Sequence, residues 1–137
     1  MNRYADCPCH SGQNYQNCCR QYHLGKDAEN AVALMRSRYC AYALNLPDYL
    51  IKTTHPKHKE YSAHTLSWKE SIQDFSRGTQ FRSLEILDST EDGATGTVTF
   101  KAGLMQGLKD ASFTERGSFE KIDGRWLYLK GEMLSAP

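Results

Sequence analysis

Four of the five cysteines crowd the first nineteen residues, in the run Cys7-Pro8-Cys9-His10-Ser11-Gly12-Gln13-Asn14-Tyr15-Gln16-Asn17-Cys18-Cys19. Two thiols one residue apart, a short polar loop and two adjacent thiols suit one tetrahedral metal ion. Zinc takes thiolate ligands at about 2.3 Å, and a structural site fills all four positions. Pro8 stiffens the first pair, and Gly12 supplies a positive φ that turns the loop back. Disulfides are the competing reading. Adjacent cysteines bridge each other poorly because the peptide between them strains the geometry. Pairing Cys18 and Cys19 with Cys7 and Cys9 would place two bridges on one tiny loop and leave Cys40 over. Residues Met1 to Asp6 lack the apolar core of a signal peptide. No apolar run approaches the ~18 residues of a membrane span. The expected location is therefore cytoplasmic, where thiols stay reduced and clustered cysteines read as metal ligands.

The pattern Cys-Pro-Cys-x-Ser-Gly-x-x-Tyr-x-x-Cys-Cys resembles the SEC-C motif, the small zinc-binding element at the carboxyl end of the SecA translocase motor. The resemblance implies one structural zinc ion held by Cys7, Cys9, Cys18 and Cys19, with Ser11, Gly12 and Tyr15 shaping the knuckle. It also implies a protein partner docking on the knuckle, since in SecA the motif contacts the chaperone SecB and the ribosome. Two departures stand out. His10 occupies a position where glycine is common, and Gln13, Asn14, Gln16 and Asn17 replace common lysines. Four thiolates complete the tetrahedron, so His10 and His23 are expected outside the ligand set, as supporting or solvated groups. Arg3 and Arg20 flank the site and are expected to offset its negative charge.

The chain has 137 residues, enough for one domain with a real core and this appendage. Seventeen basic and sixteen acidic side chains give a formal charge of +1, with no basic excess of the kind that nucleic acid binding needs. Gln21 to Asn30 is polar and reads as a linker. From Ala28 the period is helical: Ala31, Leu34, Met35, Arg38, Tyr39, Tyr42 and Leu46 share one arc. Pro47 opens a short second helix to Thr54. A third is expected from about His64 to Phe75, with Leu66, Ile72 and Phe75 spaced for burial. After Gly78 the period becomes two. Strands are expected over Thr79–Ser89, Thr95–Ala102, Lys109–Lys121 and Arg125–Lys130, with turns at Glu91-Asp92-Gly93, Gln106-Gly107 and Asp123-Gly124. Helices followed by a meander give an α+β domain, with about three helices packed on a curved four-stranded antiparallel sheet. Gly96, Gly103 and Gly117 are expected to allow bulges.

Leu34-Met35-Arg36-Ser37-Arg38-Tyr39-Cys40-Ala41-Tyr42, Asp48 to Thr53 before His55-Pro56, and Glu115-Arg116-Gly117-Ser118-Phe119 before Gly124-Arg125-Trp126-Leu127-Tyr128 resemble the YchJ family of small bacterial proteins. The resemblance implies a SEC-C-like zinc knuckle over residues 1–24. A cystatin-like, nuclear transport factor 2-like cone follows over residues 25–137. Such cones often bind ligands between the sheet and the long first helix.

Arg38 interrupts the helix's apolar arc, and Glu115 lies on the apolar side of its strand between Phe113 and Phe119. If those faces meet, the two charges are expected to pair inside the cone, since a lone buried charge costs several kcal/mol. His55 is the remaining acid–base candidate, near the mouth of the cone. His55, His58 and His64 read as an exposed basic loop rather than a second metal site. Arg36 is expected to face solvent or a partner, and Cys40 to be half-buried on the far side of the helix. No phosphate loop, His-Glu-x-x-His run or nucleophile elbow is present, and no catalytic residue is assigned. The sequence therefore favours a zinc-stabilised protein-interaction module. The alternative is a ligand-binding or weakly enzymatic cone with a pocket around Arg38, Glu115 and His55. An exposed aromatic surface around Tyr15 and Tyr22 would favour the first, and a deep pocket containing Arg38 and Glu115 the second.

Overall fold

The computed structural model describes Asn2 and residues 4–134; Arg3 lies outside the described residues. The knuckle ends in a 3-10 turn, Tyr15–Asn17, followed by the one-turn helix α1, Arg20–His23. Then come α2 (Ala31–Ala43), α3 (Pro47–Lys52) and α4 (Thr65–Arg77). The strands are β1 (Gln80–Asp92), β2 (Thr95–Gln106), the two-residue β3 (Lys109–Asp110), β4 (Phe113–Ile122) and β5 (Arg125–Leu134).

The local chemistry sets the helix ends. Asn30 caps α2, its side chain accepting from the Ala33 amide at 2.8 Å, and Glu91 of β1 accepts from the Ala31 amide. Pro47 opens α3 as expected, and Gly78 closes α4. The four long strands run antiparallel in the order β1-β2-β4-β5, with β3 paired to β2. The expected third strand divides because Ser112 turns the chain. Its amide is held by Asp110, and the Ala111 amide donates to Leu104 O at 3.0 Å. Asp123 and Gly124 both take positive φ, the conformation of a type I′ hairpin. Pairing slips in β1 between Phe81 and Ser83 and between Ile86 and Asp88, and in β4 between Ser118 and Phe119. These irregularities, rather than a bulge at every expected glycine, curve the sheet.

Alternate residues of β2 (Val98, Phe100, Ala102, Leu104) and of β4 (Glu115, Gly117, Phe119) point to the inner face. They pack with Ala31, Leu34, Met35 and Tyr39 of α2, and with Leu84 and Trp126, into the main core. The helix α2 is buried on more sides than one apolar arc predicts, since Ser37, Cys40 and Ala41 are covered as well. What covers that second side is the knuckle. The expected linker over Gln21–Asn30 is therefore corrected at its start: Tyr22 of α1 is buried in a cluster with Ala41, Tyr49, Leu50 and Ile72, and only residues 24–30 remain irregular and mostly exposed. Leu66 corrects another expectation. It lies at the start of α4 and is 70% exposed, so only Ile72 of that helix's three apolar candidates is buried.

Candidate functional site

Two sites share α2, one on each side. On the knuckle side, the Sγ atoms of Cys7, Cys9, Cys18 and Cys19 all lie within 4.8 Å of one another. Cys9 and Cys18 are 3.5 Å apart, and Cys18 and Cys19 3.9 Å. The edge of a zinc–thiolate tetrahedron is about 3.8 Å, given bonds near 2.3 Å. The donor set is thus of the right size and chemistry to hold one metal ion. All five cysteines are free thiols, so no bridge of the competing reading has formed. Gly12 takes φ 89° and His10 φ 61°, which places the loop's turn in the left-handed region at both positions. Within the sulfur cluster, hydrogen bonds from Cys19, Cys40 and Cys9 hold the Cys7 thiol below its ordinary range, whereas burial raises Cys18 and hydrogen bonds with Cys40 and Cys7 raise Cys19.

The groups around the sulfurs are more engaged than expected. The Ser11 hydroxyl lies 3.2 Å from Cys18 Sγ. Arg36 is half-buried and turned to the knuckle; its Nη1 donates to Cys9 O at 3.0 Å and approaches Cys9 Sγ at 4.0 Å. Cys40 is fully buried rather than half-buried, with its Sγ 3.8 Å from that of Cys7. His10 is latched to the cone, its ring nitrogen donating to Phe81 O of β1 at 3.2 Å. The His23 Nε2–H donates to Ser37 O at 2.9 Å, and its Nδ1 accepts from the Tyr15 hydroxyl at 2.7 Å. Burial holds this imidazole below the usual histidine range, consistent with the neutral tautomer those bonds require. The signal for this interface was present in sequence: Arg36, Ser37 and Cys40 repeat at helical spacing on the side of α2 away from Leu34 and Met35.

On the cone side, α2, α4 and the loop at residues 58–60 enclose, against the sheet, a cavity of about 480 Å³. Arg38 and Glu115 both line it. They do not form the direct ion pair expected. Arg38 Nη1 donates instead to Leu50 O at 2.9 Å, Thr53 Oγ1 at 2.7 Å and Thr54 Oγ1 at 3.2 Å, stapling α3 to α2. Its guanidinium lies 4.8 Å from the centre of the Tyr128 ring. The Tyr128 hydroxyl in turn donates to Glu115 Oε2 at 3.0 Å. The two charges thus communicate through one aromatic side chain. Burial raises the Glu115 carboxyl above the usual range, against the opposing effects of the Tyr128 bond and the Arg38 charge.

His55 does not join them. It is buried on another side, with Nε2 2.8 Å from Glu120 Oε1 and its backbone N–H bonded to Tyr128 O. Its role is to dock the loop after α3 onto β5. The histidine that does line the cavity is His58, whose ring centroid lies 5.1 Å from that of Tyr128. Burial lowers its pKa. Sequence gave no reason to choose it over His55, because a loop has no periodicity from which to read a side chain's direction. Tyr128 was missed for a related reason. Trp126, Leu127, Tyr128 and Leu129 form a continuous apolar run in which inner and outer faces look alike.

The comparisons agree with this geometry. Residues 5–21 match the SEC-C motif, and residues 30–131 match the model described as YchJ, middle NTF2-like domain. A UPF0225 protein of Streptomyces coelicolor is 39% identical over 132 residues, covering 93% of this chain and 95% of its own. The solution structure of a SEC-C motif containing protein from Rhodopseudomonas palustris superposes with a TM-score of 0.81 at 35% identity, over 94% of this chain and 98% of that one. The crystal structure of another, from Psychrobacter arcticus, gives a TM-score of 0.79 at 25% identity, over 100% and 88% of the two chains. With its cysteine cluster, its cone and these relatives together, the chain belongs to the YchJ family of UPF0225 proteins, in which a SEC-C motif precedes an NTF2-like domain.

Proposed function

We propose that this protein is a small-molecule-binding cone whose SEC-C element is a structural clasp, closed by one zinc ion on Cys7, Cys9, Cys18 and Cys19. The observation that carries the reading is the cavity of about 480 Å³ containing Arg38 and Glu115. A concave, largely apolar space with a few convergent polar groups is the usual form of a ligand site. The docking reading loses its main support, because Tyr15 and Tyr22 are buried against the cone at 9% and 8% exposure. Gln16 and Asn17 remain outside, but neither offers an aromatic or charged anchor.

The zinc assignment rests on four soft donors at tetrahedral spacing, together with the second ring of donors from Ser11 and Arg36. A full thiolate set leaves no position for water, so the metal stabilises rather than reacts. The described residues of the 1–24 and 25–137 parts then form one packed body, not two parts on a string.

Titration with benzamide, followed by NMR of backbone amides and tryptophan side chains, tests the cavity. Saturable shifts are expected at the Trp68 indole, Gly131 and Tyr128, and at none of Gln13, Gln16 or Asn17. Shifts centred on the knuckle, or no saturable shift at all, would overturn the reading.

A further inference from the structure

The cavity's polar groups constrain what it can hold, taking it as the ligand site argued above. Arg38 and Glu115 are each only 8% exposed, yet both border the same space. All three hydrogen bonds of Arg38 given above use Nη1, and Glu115 accepts from Tyr128 through Oε2. Among the described residues, Glu115 Oε1 is left without a hydrogen bond of its own, and the Arg38 guanidinium, which also engages the Tyr42 hydroxyl, borders the cavity beside it. A glycine keeps this corner open. A Cβ on Gly131 would run into the Tyr128 hydroxyl and the Glu115 carboxyl, so no other residue fits there with both side chains as they stand. Much of the remaining wall is ring and aliphatic carbon, including Trp68, Phe75, Phe100 and Phe113, with Ser71 and His58 as further polar groups.

Charge decides between ligand classes. The cavity wall holds one buried cation and one buried carboxyl, coupled through Tyr128. At the rim, Lys59 and Glu60 add one further charge of each sign. A ligand with net charge would leave one charge uncompensated beside two ionisable side chains that are themselves buried. An uncharged ligand keeps the balance, and it satisfies both groups if it offers an acceptor to the guanidinium and a donor to the carboxylate. Amides and lactams carry both on one edge. The cavity volume falls within the range of small-molecule sites, and its aromatic walls favour a ring through stacking and edge contacts.

We propose that the cavity binds an uncharged ring compound bearing an adjacent donor and acceptor of the amide or lactam kind, held between Arg38 and Glu115. This rests on the reading of the cavity as a ligand site.

Calorimetric titration with three matched probes separates the two ideas: naphthalene-2-carboxamide, naphthalene-2-carboxylate and 2-naphthylmethylamine, the last a cation at neutral pH. The wild-type protein is expected to bind the carboxamide at least tenfold more tightly than either charged probe. Glu115→Gln keeps the size of the side chain and an acceptor for Tyr128 but removes the negative charge. It is expected to shift the ratio of carboxylate to carboxamide affinity at least tenfold toward the carboxylate. A charged probe matching the carboxamide on the wild type would overturn the assignment of ligand class and leave the cavity reading standing, as would an unchanged ratio in a folded Glu115→Gln. Absence of saturable binding by all three would overturn the cavity reading itself.

Discussion

The two sides of α2 differ in how completely they are filled. Toward the knuckle, Cys40 and Ser37 are fully buried, Arg36 holds the Cys9 carbonyl, and Ser37 Oγ lies 2.7 Å from the Tyr49 hydroxyl. Toward the sheet, Arg38, Tyr39 and Tyr42 border about 480 Å³ that no side chain occupies. One helix thus presents a finished interface on one side and an open one on the other. A protein interior normally packs to crystal-like density, so unfilled space beside two buried ionisable groups needs a reason, whereas dense packing needs none. Under the proposed function, the cysteine side supplies stability and the cone side recognition. That reverses the prominence of the two in the sequence, where the cysteines dominate.

Removing the metal should have the largest effect on this division. Because Tyr22, His23 and Arg36 tie the knuckle to α2, stripping zinc with a chelator is expected to destabilise the whole protein by about 4 kcal/mol, the linkage expected of a tightly held ion. A single lowered melting transition in calorimetry would bear this out. A cone that melts unchanged after zinc loss would return the knuckle to the status of an independent appendage. Tyr22→Ala removes the ring that inserts among Ala41, Tyr49, Leu50 and Ile72, at an expected cost of about 3 kcal/mol in urea unfolding. A loss under 1 kcal/mol would mean that the interface contributes little.

Cys40→Ala should sharpen the comparison more gently. It deletes a thiol 3.8 Å from Cys7 Sγ without touching the expected ligand set, and zinc affinity measured by chelator competition should fall roughly tenfold. Unchanged affinity would make Cys40 a packing residue only. The smallest effect concerns His23, whose pKa in the folded state is held by burial below the ordinary histidine value of about 6.5. The folded state then binds fewer protons than the unfolded one, so stability is full above about pH 6.5 and is lost as the pH falls below that value. The melting temperature should drop more between pH 7 and pH 5.5 for the wild type than for His23→Gln. Equal drops would show that this imidazole is not a strut.

Much of the architecture was legible in the residues. The change from helical to alternating period at Gly78, Pro47 at the start of α3 and Asp123-Gly124 at the last hairpin all act locally, and each lies where its own chemistry puts it. Placing Arg38 and Glu115 around one cavity was also possible, because both sit in apolar patterns that fix which way they face. The direct pair failed because periodicity gives a face and not a distance. Thr53, Thr54 and the Leu50 carbonyl, close to Arg38 only in three dimensions, take up one guanidinium nitrogen, Nη1. The linker over Gln21–Asn30 failed for the opposite reason. Its polar composition hid Tyr22 and His23, whose burial depends on a surface supplied by α2 and α3. Knuckle residues such as His10 carried no sign of their partner, since the contact with Phe81 O joins segments far apart in the chain.

On the proposed reading, the zinc clasp holds the wall of a ligand cavity it does not touch. Calorimetric titration of naphthalene-2-carboxamide into zinc-loaded and zinc-stripped protein tests that coupling. Coupling through α2 predicts at least a tenfold loss of affinity on stripping, although none of the four cysteines expected to hold zinc lines the cavity. Equal affinity in the two forms would contradict the account, leaving the clasp and the cone as neighbours without a shared function.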